Sequence, residues 1–330
     1  MLRYSSGPSP TPSRMGAFLT ETLLPCVIAP LALLALLLFA KPVTRGEAAA
    51  LVVAACAGLV ALVATAPWLR FGLWLPALYA LATLALAVRV GLRARRTPWV
   101  GQLLGERVRT LATAAVALAF VGVAAWSQEG RLVADRPALA LQFPLRDGTF
   151  LVANGGTSLL LNAHVATLAE GERYRAWRGQ SYGYDLVRID AFGRRSRTPW
   201  PRTLADYHSF GAPVYAPCDG RVLETVNELP DRVPPARDRE RLPGNFVLLD
   251  CGGTWVVAAH LRQGSVAVAP NATVRTGDRL GEIGNSGNSD EPHLHLHAQR
   301  PGPLDSAFDA DPLVITFDGR VLGRNSLVRR

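Results

Sequence analysis

The 330-residue chain is long enough for two domains, and its net charge of +9 is unevenly distributed. Residues 1–126 contain 11 Lys and Arg against 3 Asp and Glu, whereas residues 127–330 contain 24 against 23. A nucleic-acid-binding domain carries clustered positive charge, so this near-balance argues against such a role for the second part. We therefore expect no nucleic-acid partner.

The first part of the chain is strongly apolar. Residues 1–16 include a Ser- and Pro-rich segment that predicts a disordered N-terminus. Four long apolar stretches follow: Leu23–Ala40, Ala48–Leu69, Phe71–Val90 and Leu111–Trp126. Each approaches the roughly 20 residues that cross a hydrocarbon core as a helix. The sequence therefore predicts an N-terminal four-helix transmembrane region over residues 17–126, with the lipid bilayer as its partner.

The connection between the third and fourth stretches is rich in arginine. Residues 89–109 contain six Arg and one acidic residue, Glu106. Such an excess marks the cytoplasmic side of a membrane. Counting spans from this connection predicts that the short turn around Arg70 and residues 127–330 both lie on the outer side.

The second part begins with a polar linker at residues 127–138 and then alternates short apolar segments with turn residues. Two hairpins are predicted, Leu139–Phe143 with Thr149–Ala153 and Asn245–Asp250 with Thr254–His260. Further predicted strands carry candidate functional residues: Ser158–Val165 with His164, Tyr182–Ile189 with Asp185, and Leu294–Ala298 next to His293. Many short strands separated by glycine turns predict a C-terminal all-β domain over residues 139–330.

The four cysteines divide evenly between the two parts. Cys26 and Cys56 fall in apolar stretches, where we expect them to be buried as small apolar side chains. Cys218 and Cys251 lie in the second part, in segments that we interpret as paired strands. If that part is outside the cytoplasm, a disulfide between them is plausible, and two unrelated buried thiols are the alternative.

The histidines are concentrated near the end of the second part. The chain has six His, and three of them occupy positions 293, 295 and 297. Alternate side chains of a strand project from the same face, so His293 and His295 are expected to serve one site. Catalytic zinc takes three protein ligands and a water whose pKa it lowers. The candidates for such a site are His164, Asp185, His208, His260, His293, His295 and His297.

Three segments of the second part are GAPVYAPCDGRV, GNFVLLDCGGTWVVAAHL and VRTGDRLGEIGNSGNSDEPHLHLH. Together they resemble the lysostaphin/LytM-type zinc metallopeptidases, which cut peptide bonds of bacterial cell-wall peptidoglycan. The resemblance runs from about residue 159 to residue 297. It implies a β-domain with a duplicated hybrid motif, a Zn²⁺ cofactor and peptidoglycan as the substrate. It also implies His295 and Asp185 as metal ligands, and His293 and His260 as catalytic residues.

One position departs from the pattern of that family. The first ligand of its His-x-Gly-x-Asp motif falls at Ser181, which is a poor zinc ligand. A branch of the family carries an Asn-x-His segment upstream, which NAH at residues 162–164 resembles, so His164 is the expected third ligand. His208 is the second candidate for that place. We expect His297 to flank the cleft without binding the metal.

The resemblance implies a membrane-anchored zinc metalloendopeptidase of the bacterial cytoplasmic (inner) membrane, with its C-terminal domain in the periplasm. This agrees with the arginine distribution, because a peptidoglycan hydrolase works outside that membrane. One alternative is a non-catalytic lysostaphin-like regulator or wall-binding module with a degenerate metal site. Another is a protease with substrates outside the wall. The sequence identifies no cell-wall or divisome partner protein.

Overall fold

The computed structural model describes residue 16 and residues 18–133, 136–304 and 308–330. The predicted disordered N-terminus therefore lies, apart from residue 16, outside the described residues. The chain divides into two compact units. The first contains the described residues up to 67 together with residues 78–122, and the second contains residues 68–77 and the described residues from 123 onward. The short connection at residues 68–77 thus belongs to the same unit as the C-terminal part.

Among the described residues, four helices are long and apolar enough to cross a membrane: α1 (Leu19–Phe39), α2 (Arg45–Thr65), α3 (Trp74–Ala94) and α4 (Leu104–Glu129). They confirm the predicted four-helix region, with different ends. Helix α2 ends before Pro67 rather than at Leu69, because the residue before a proline is driven into the extended region, where Ala66 has ψ 149°. Cys56 is exposed on α2, contrary to the predicted burial, since a helix that is apolar all round still has an outward face.

The second unit is built on antiparallel β-sheet, which confirms the predicted β-domain. The strands are β1 (Ala138–Leu141), β2 (Thr149–Asn154), β3 (Tyr184–Ile189), β4 (Pro213–Tyr215), β5 (Gly220–Val226), β6 (Asn245–Asp250), β7 (Trp255–Leu261), β8 (Thr273–Val274), β9 (Arg279–Glu282), β10 (Leu294–Gln299), β11 (Pro312–Phe317) and β12 (Leu327–Arg329). The main order is β12-β2-β3-β10-β7-β6-β5-β8. Strand β11 joins the end of β10 and pairs in parallel with β1, while β4 and β9 form a separate pair.

Strand β10 lies near the middle of this sheet and is buried along its whole length. Its side chains alternate between the two faces, as the pleat of a strand requires. Leu294 and Leu296 enter the main apolar core, which β4 and β9 also help to form. His295 and His297 therefore project from the opposite face. This alternation places the histidines on one side of the sheet.

Two local predictions are wrong. Strand β1 does not form a hairpin with β2: Leu139 lies opposite Ile315 of β11, and β2 pairs with β3 and β12. The predicted strand Ser158–Val165 is also absent, because residues Ala163–Leu168 form a short 3₁₀ helix. The Asn162 side chain caps that helix by accepting a hydrogen bond from the backbone N–H of His164.

The turn before β5 and the turn between β6 and β7 are joined covalently. Cys218 and Cys251 form a disulfide, with their Cα atoms 5.9 Å apart. The hairpin of β6 and β7 that leads into Cys251 has the predicted pairing, with Leu249 opposite Val256. The other expectation, two unrelated thiols, does not hold in this structure.

Candidate metal centre

Asp185 and His295 face each other across neighbouring strands. Asp185 of β3 is the register partner of His295 of β10. Side chains directly opposite on an antiparallel pair lie close enough to interact. The Nδ1 atom of His295 is 2.9 Å from Oδ1 of Asp185, and both side chains are nearly buried. The sheet register alone therefore sets this pair.

His164 reaches the same carboxylate from outside the sheet. Its Nε2 atom lies 3.1 Å from each carboxylate oxygen of Asp185. The short helix that carries it is held by Asn162, whose side-chain amide donates hydrogen bonds to the carbonyls of Gly156 and Gly183, both at 3.0 Å. Since Gly183 is two residues before Asp185, Asn162 ties the helix of His164 to the start of β3.

One donor atom from each of His164, Asp185 and His295 lies within 4.8 Å of the others, so the group could hold a metal ion. Imidazole and carboxylate ligands bind zinc at about 2.0–2.2 Å in tetrahedral geometry, which separates the donors by roughly 3.4 Å. The observed contacts of 2.9 and 3.1 Å are close to that separation. The donor set and its spacing therefore fit a zinc ion.

A second layer of hydrogen bonds orients the carboxylate. The Asn154 amide donates to Oδ2 of Asp185 at 2.8 Å, and Arg324 donates to the amide oxygen of Asn154 at 2.7 Å. Burial raises the pKa of the Asp185 carboxyl, but the imidazoles of His164 and His293 outweigh burial and hold the pKa well below its ordinary value. Asp185 is thus a carboxylate at neutral pH, the form that binds a metal.

His293 lies just before β10 on the same side as His295. Its Nδ1 atom is 2.7 Å from the carbonyl oxygen of Glu291, which can only accept, so Nδ1 carries a proton. Its Nε2 atom lies 3.5 Å from Oδ1 of Asp185. Burial lowers the pKa of His293, but the Asp185 carboxylate outweighs burial and raises it above the ordinary value.

His260, near the end of β7, faces His293 with their ring centroids 4.9 Å apart. Its backbone has φ 62°, a left-handed conformation that is uncommon outside glycine and is often found at functional sites. Its Nδ1 atom donates to the carbonyl of Ser286 at 2.9 Å, which leaves Nε2 as the acceptor nitrogen. Burial, with the neighbouring His293 and His295, lowers the pKa of His260 well below its ordinary value.

The remaining candidates differ in position. The Nδ1 atom of His297 lies 3.0 Å from Nε2 of His295, so His297 contacts a candidate ligand without touching the carboxylate. His208 lies beyond the other end of β3, with Nε2 3.8 Å from Oδ2 of Asp190. Ser181 is buried, and its hydroxyl is hydrogen-bonded to Thr167 and to the carbonyl of Arg178.

The family model for peptidase family M23 matches residues 205–306. This stretch, about a third of the chain, is therefore similar to peptidase family M23. The matched range contains His260, His293 and His295 but begins after His164 and Asp185. The M23 match therefore covers one of the three candidate ligands and both candidate catalytic histidines.

The chain is also similar to several named proteins. A stretch of 107 residues is 32% identical to the cell division protein DipM of Caulobacter vibrioides, covering 32% of this chain and 15% of that protein. A zinc-containing peptidase from Vibrio cholerae has 18% identity and a TM-score of 0.29, over 53% of this chain and 41% of that one. The catalytic domain of lysostaphin from Staphylococcus simulans has 20% identity and a TM-score of 0.26, over 40% and 74%. The chain thus spans only a small part of DipM. TM-scores this low give no information about the reaction.

A cleft of 160 Å³ opens beside the candidate metal ligands. Its lining includes His164, His260 and His295 together with the aromatic side chains of Trp177 and Phe308. A wider groove of 540 Å³ shares Trp177 and Phe308 with it. An extended chain lying in the groove would therefore reach the histidines past these two aromatic rings.

Three residues orient the site in ways that were not predicted. Asn154 follows from the pairing of β2 with β3, which no local pattern reveals. The role of Asn162 could have been recognised from the sequence, because an Asn before an apolar segment is typical of a helix N-cap. The segment was instead interpreted as a strand. The contact of His297 with His295 requires a ring orientation that alternation along β10 does not determine.

Proposed function

We propose that the chain is a membrane-anchored zinc metalloendopeptidase that hydrolyses peptide bonds of bacterial peptidoglycan. The observation that supports this most is the convergence of His164, Asp185 and His295 on one point, with His260 lining the adjoining cleft and His293 in ring contact with His260. A structural zinc site is closed by four protein ligands, whereas a catalytic site keeps one position for water or substrate. Three ligands beside a cleft are typical of the catalytic kind.

His164, Asp185 and His295 would hold the zinc ion. When bound, zinc polarises the scissile carbonyl and lowers the pKa of its water towards neutrality. The Nε2 atom of His295 faces Nδ1 of His297, which fixes the ring so that Nδ1 of His295 is directed at Asp185. Asn154 fixes the carboxylate of Asp185 in the same way. Such outer partners set ligand orientation and ligand basicity.

His260 and His293 would handle protons during the reaction. Each has Nδ1 committed to a backbone carbonyl, that of Ser286 and that of Glu291, so each presents Nε2 to the site. His260 would accept a proton at Nε2 from the attacking water, and His293 would stabilise the oxyanion and protonate the leaving amine. Both roles use only Nε2, the ring nitrogen that is not hydrogen-bonded to a backbone carbonyl.

Peptidoglycan as the substrate rests on the similarity of residues 205–306 to peptidase family M23 and on the predicted topology. Six Arg between residues 89 and 109 support a cytoplasmic position for that connection, and four spans would then carry residues 205–306 to the outer side of the cytoplasmic membrane. The wider groove is lined by both aromatic and acidic side chains, among them Phe246, Glu224 and Glu228, and it would accept an extended peptide.

The full chain, purified in nanodiscs, tests this proposal by zinc analysis and by digestion of purified peptidoglycan. We expect one zinc per chain, loss of zinc in His295→Ala, and release of peptide cross-links by the parent protein. His208→Ala is the matched control and should retain both zinc and activity. A metal-free protein that binds peptidoglycan without cutting it would refute the enzyme in favour of a regulatory or wall-binding module. Cleavage of proteins but not of peptidoglycan would refute the substrate.

A further inference from the structure

The connection between α2 and α3 is packed into the second unit. Leu69 and Leu73 are partly buried against Leu151, Val187 and Ile189 of the sheet. The loop after β3 touches the same connection, since a Cβ added at Gly193 would lie 2.6 Å from Cβ of Leu73. Gly193 also has φ 74°, so glycine is suited to this close approach for two reasons.

A cleft of 350 Å³ lies beside this contact. Its lining includes Trp74, Phe192 and Leu327, which we call the apolar patch. These side chains are exposed by 51%, 65% and 46%. They come from three separate segments of the chain, namely the start of α3, the loop after β3 and strand β12. Clustered exposed apolar side chains of this kind mark an interaction site.

Three arginines, which we call the arginine rim, lie in the segments that form the apolar patch. Arg329 lines the cleft, while Arg194 follows Phe192 in the loop and Arg70 belongs to the connection; all three are exposed. Asp190 lines the cleft as well and pairs with Arg194 at 2.7 Å. Three positive side chains against one negative one favour an anionic partner.

The covalent connection between the apolar patch and a candidate membrane span determines which partner the patch can reach. Trp74 is the first residue of α3, a candidate membrane span, so the patch begins where the chain enters the bilayer. Successive spans cross in opposite directions, so the end of α2, the start of α3 and the end of α4 share one membrane face. The second unit contains the start of α3 and the end of α4, and its first residue, Trp68, follows shortly after the end of α2. Its apolar patch therefore lies at the membrane face from which the second unit continues.

We propose that the apolar patch is a second membrane contact, in which Trp74, Phe192 and Leu327 enter the interface of the bilayer that the helices span. Aromatic side chains favour the headgroup level, and arginines beside them bind anionic lipid phosphates. The occupant is thus lipid of the same membrane, with an anionic headgroup at the arginine rim. This contact is independent of peptidase activity and of which side of the membrane the unit occupies.

Quenching of a bimane label in nanodiscs tests the contact. The full chain with Cys26→Ser and Cys56→Ser, and with its disulfide intact, receives a single cysteine by Phe192→Cys or Leu327→Cys. The control is Val233→Cys, which is 48% exposed in the connection between β5 and β6. We expect lipids with a nitroxide headgroup to quench the labels at 192 and 327 several-fold more than the label at 233, and aqueous iodide to show the reverse order. Equal quenching at all three positions would overturn the proposal.

The lipid composition tests the arginine rim. In nanodiscs of phosphatidylglycerol and phosphatidylcholine, we expect stronger lipid quenching at position 192 than in phosphatidylcholine alone. Arg329→Gln, on an exposed strand end, should remove this difference and leave the melting temperature unchanged. Identical quenching in both lipids would show that the patch does not recognise anionic headgroups, and would overturn that half of the proposal.

Discussion

Gly183 is the position where a single methyl group would disturb the candidate metal centre most directly. A Cβ added there would lie 2.9 Å from Cε1 of His295, 3.2 Å from its Nε2 and 2.9 Å from the carbonyl oxygen of Gln180. The carbonyl belongs to the backbone and the ring is packed between strands, so neither neighbour is the far end of a flexible side chain. We therefore expect Gly183→Ala to displace the imidazole of His295.

The distance by which the His295 ring is displaced determines how much zinc affinity is lost. Ordinary contacts begin at 3.4 Å, so a neighbour now at 2.9 Å must move by about 0.5 Å. Metal ligands tolerate only about 0.2 Å, and loss of ligand orientation costs about 10–100-fold in metal affinity. Gly183→Ala should weaken zinc binding by that factor, or about 1.4–2.7 kcal/mol. Competition with a chromophoric zinc chelator measures it on the full chain in nanodiscs.

Gly302→Ala is the matched control for this prediction. Its added Cβ would meet only the Cβ of Ala310, at an ordinary 3.5 Å, so its zinc affinity should equal that of the parent. Thermal melting of the zinc-free variants separates general damage from loss of the site. An unchanged zinc affinity in a folded Gly183→Ala protein would refute the reasoning, because the ring of His295 would then not be confined as the structure shows.

Three further predictions follow from other contacts. His164→Ala should weaken zinc binding by at least about 100-fold in the same competition assay, and His208→Ala should leave it unchanged; the opposite order would assign the third ligand to His208. Replacing Cys218 and Cys251 by Ser should lower the free energy of unfolding by about 4 kcal/mol in denaturant titrations, since the disulfide closes a loop of 33 residues. Asn162→Ala should lower that free energy by about 2–3 kcal/mol and also weaken zinc binding, because it leaves two buried carbonyls without their amide donor; a loss below 1 kcal/mol would contradict this.

The features that sequence predicted well depend on patterns within one segment. The four helices follow from apolar stretches long enough to span a membrane, and the histidine face of β10 follows from the alternation of a strand. The hairpin of β6 and β7 follows from the Cys251 turn with its two glycines. In each case the information lies within about twenty residues of chain.

The features that sequence missed depend on partners far along the chain. The turn at Asp147 predicts a local hairpin, but β1 pairs with β11, which lies more than 170 residues away. Around His164, the apolar run is compatible with strand or helix, and the side chain of Asn162 decides for the helix by binding the N–H two residues on. Neither the partner of β1 nor the helix at His164 can be predicted from local propensity alone.

The position of Ser181 shows how the site can form without a ligand there. Thr167, in the short helix of His164, has its hydroxyl oxygen 2.7 Å from that of Ser181 and 2.7 Å from the carbonyl oxygen of His164. The residue that stands at the ligand position of the family pattern therefore anchors the segment that brings in another imidazole. Because Asn162 ties the same helix to Gly183, two buried polar contacts on either side of His164 hold it against Asp185. A helix fixed at both ends can thus supply the third ligand from outside the sheet, which is why the departure at Ser181 does not by itself indicate a degenerate site.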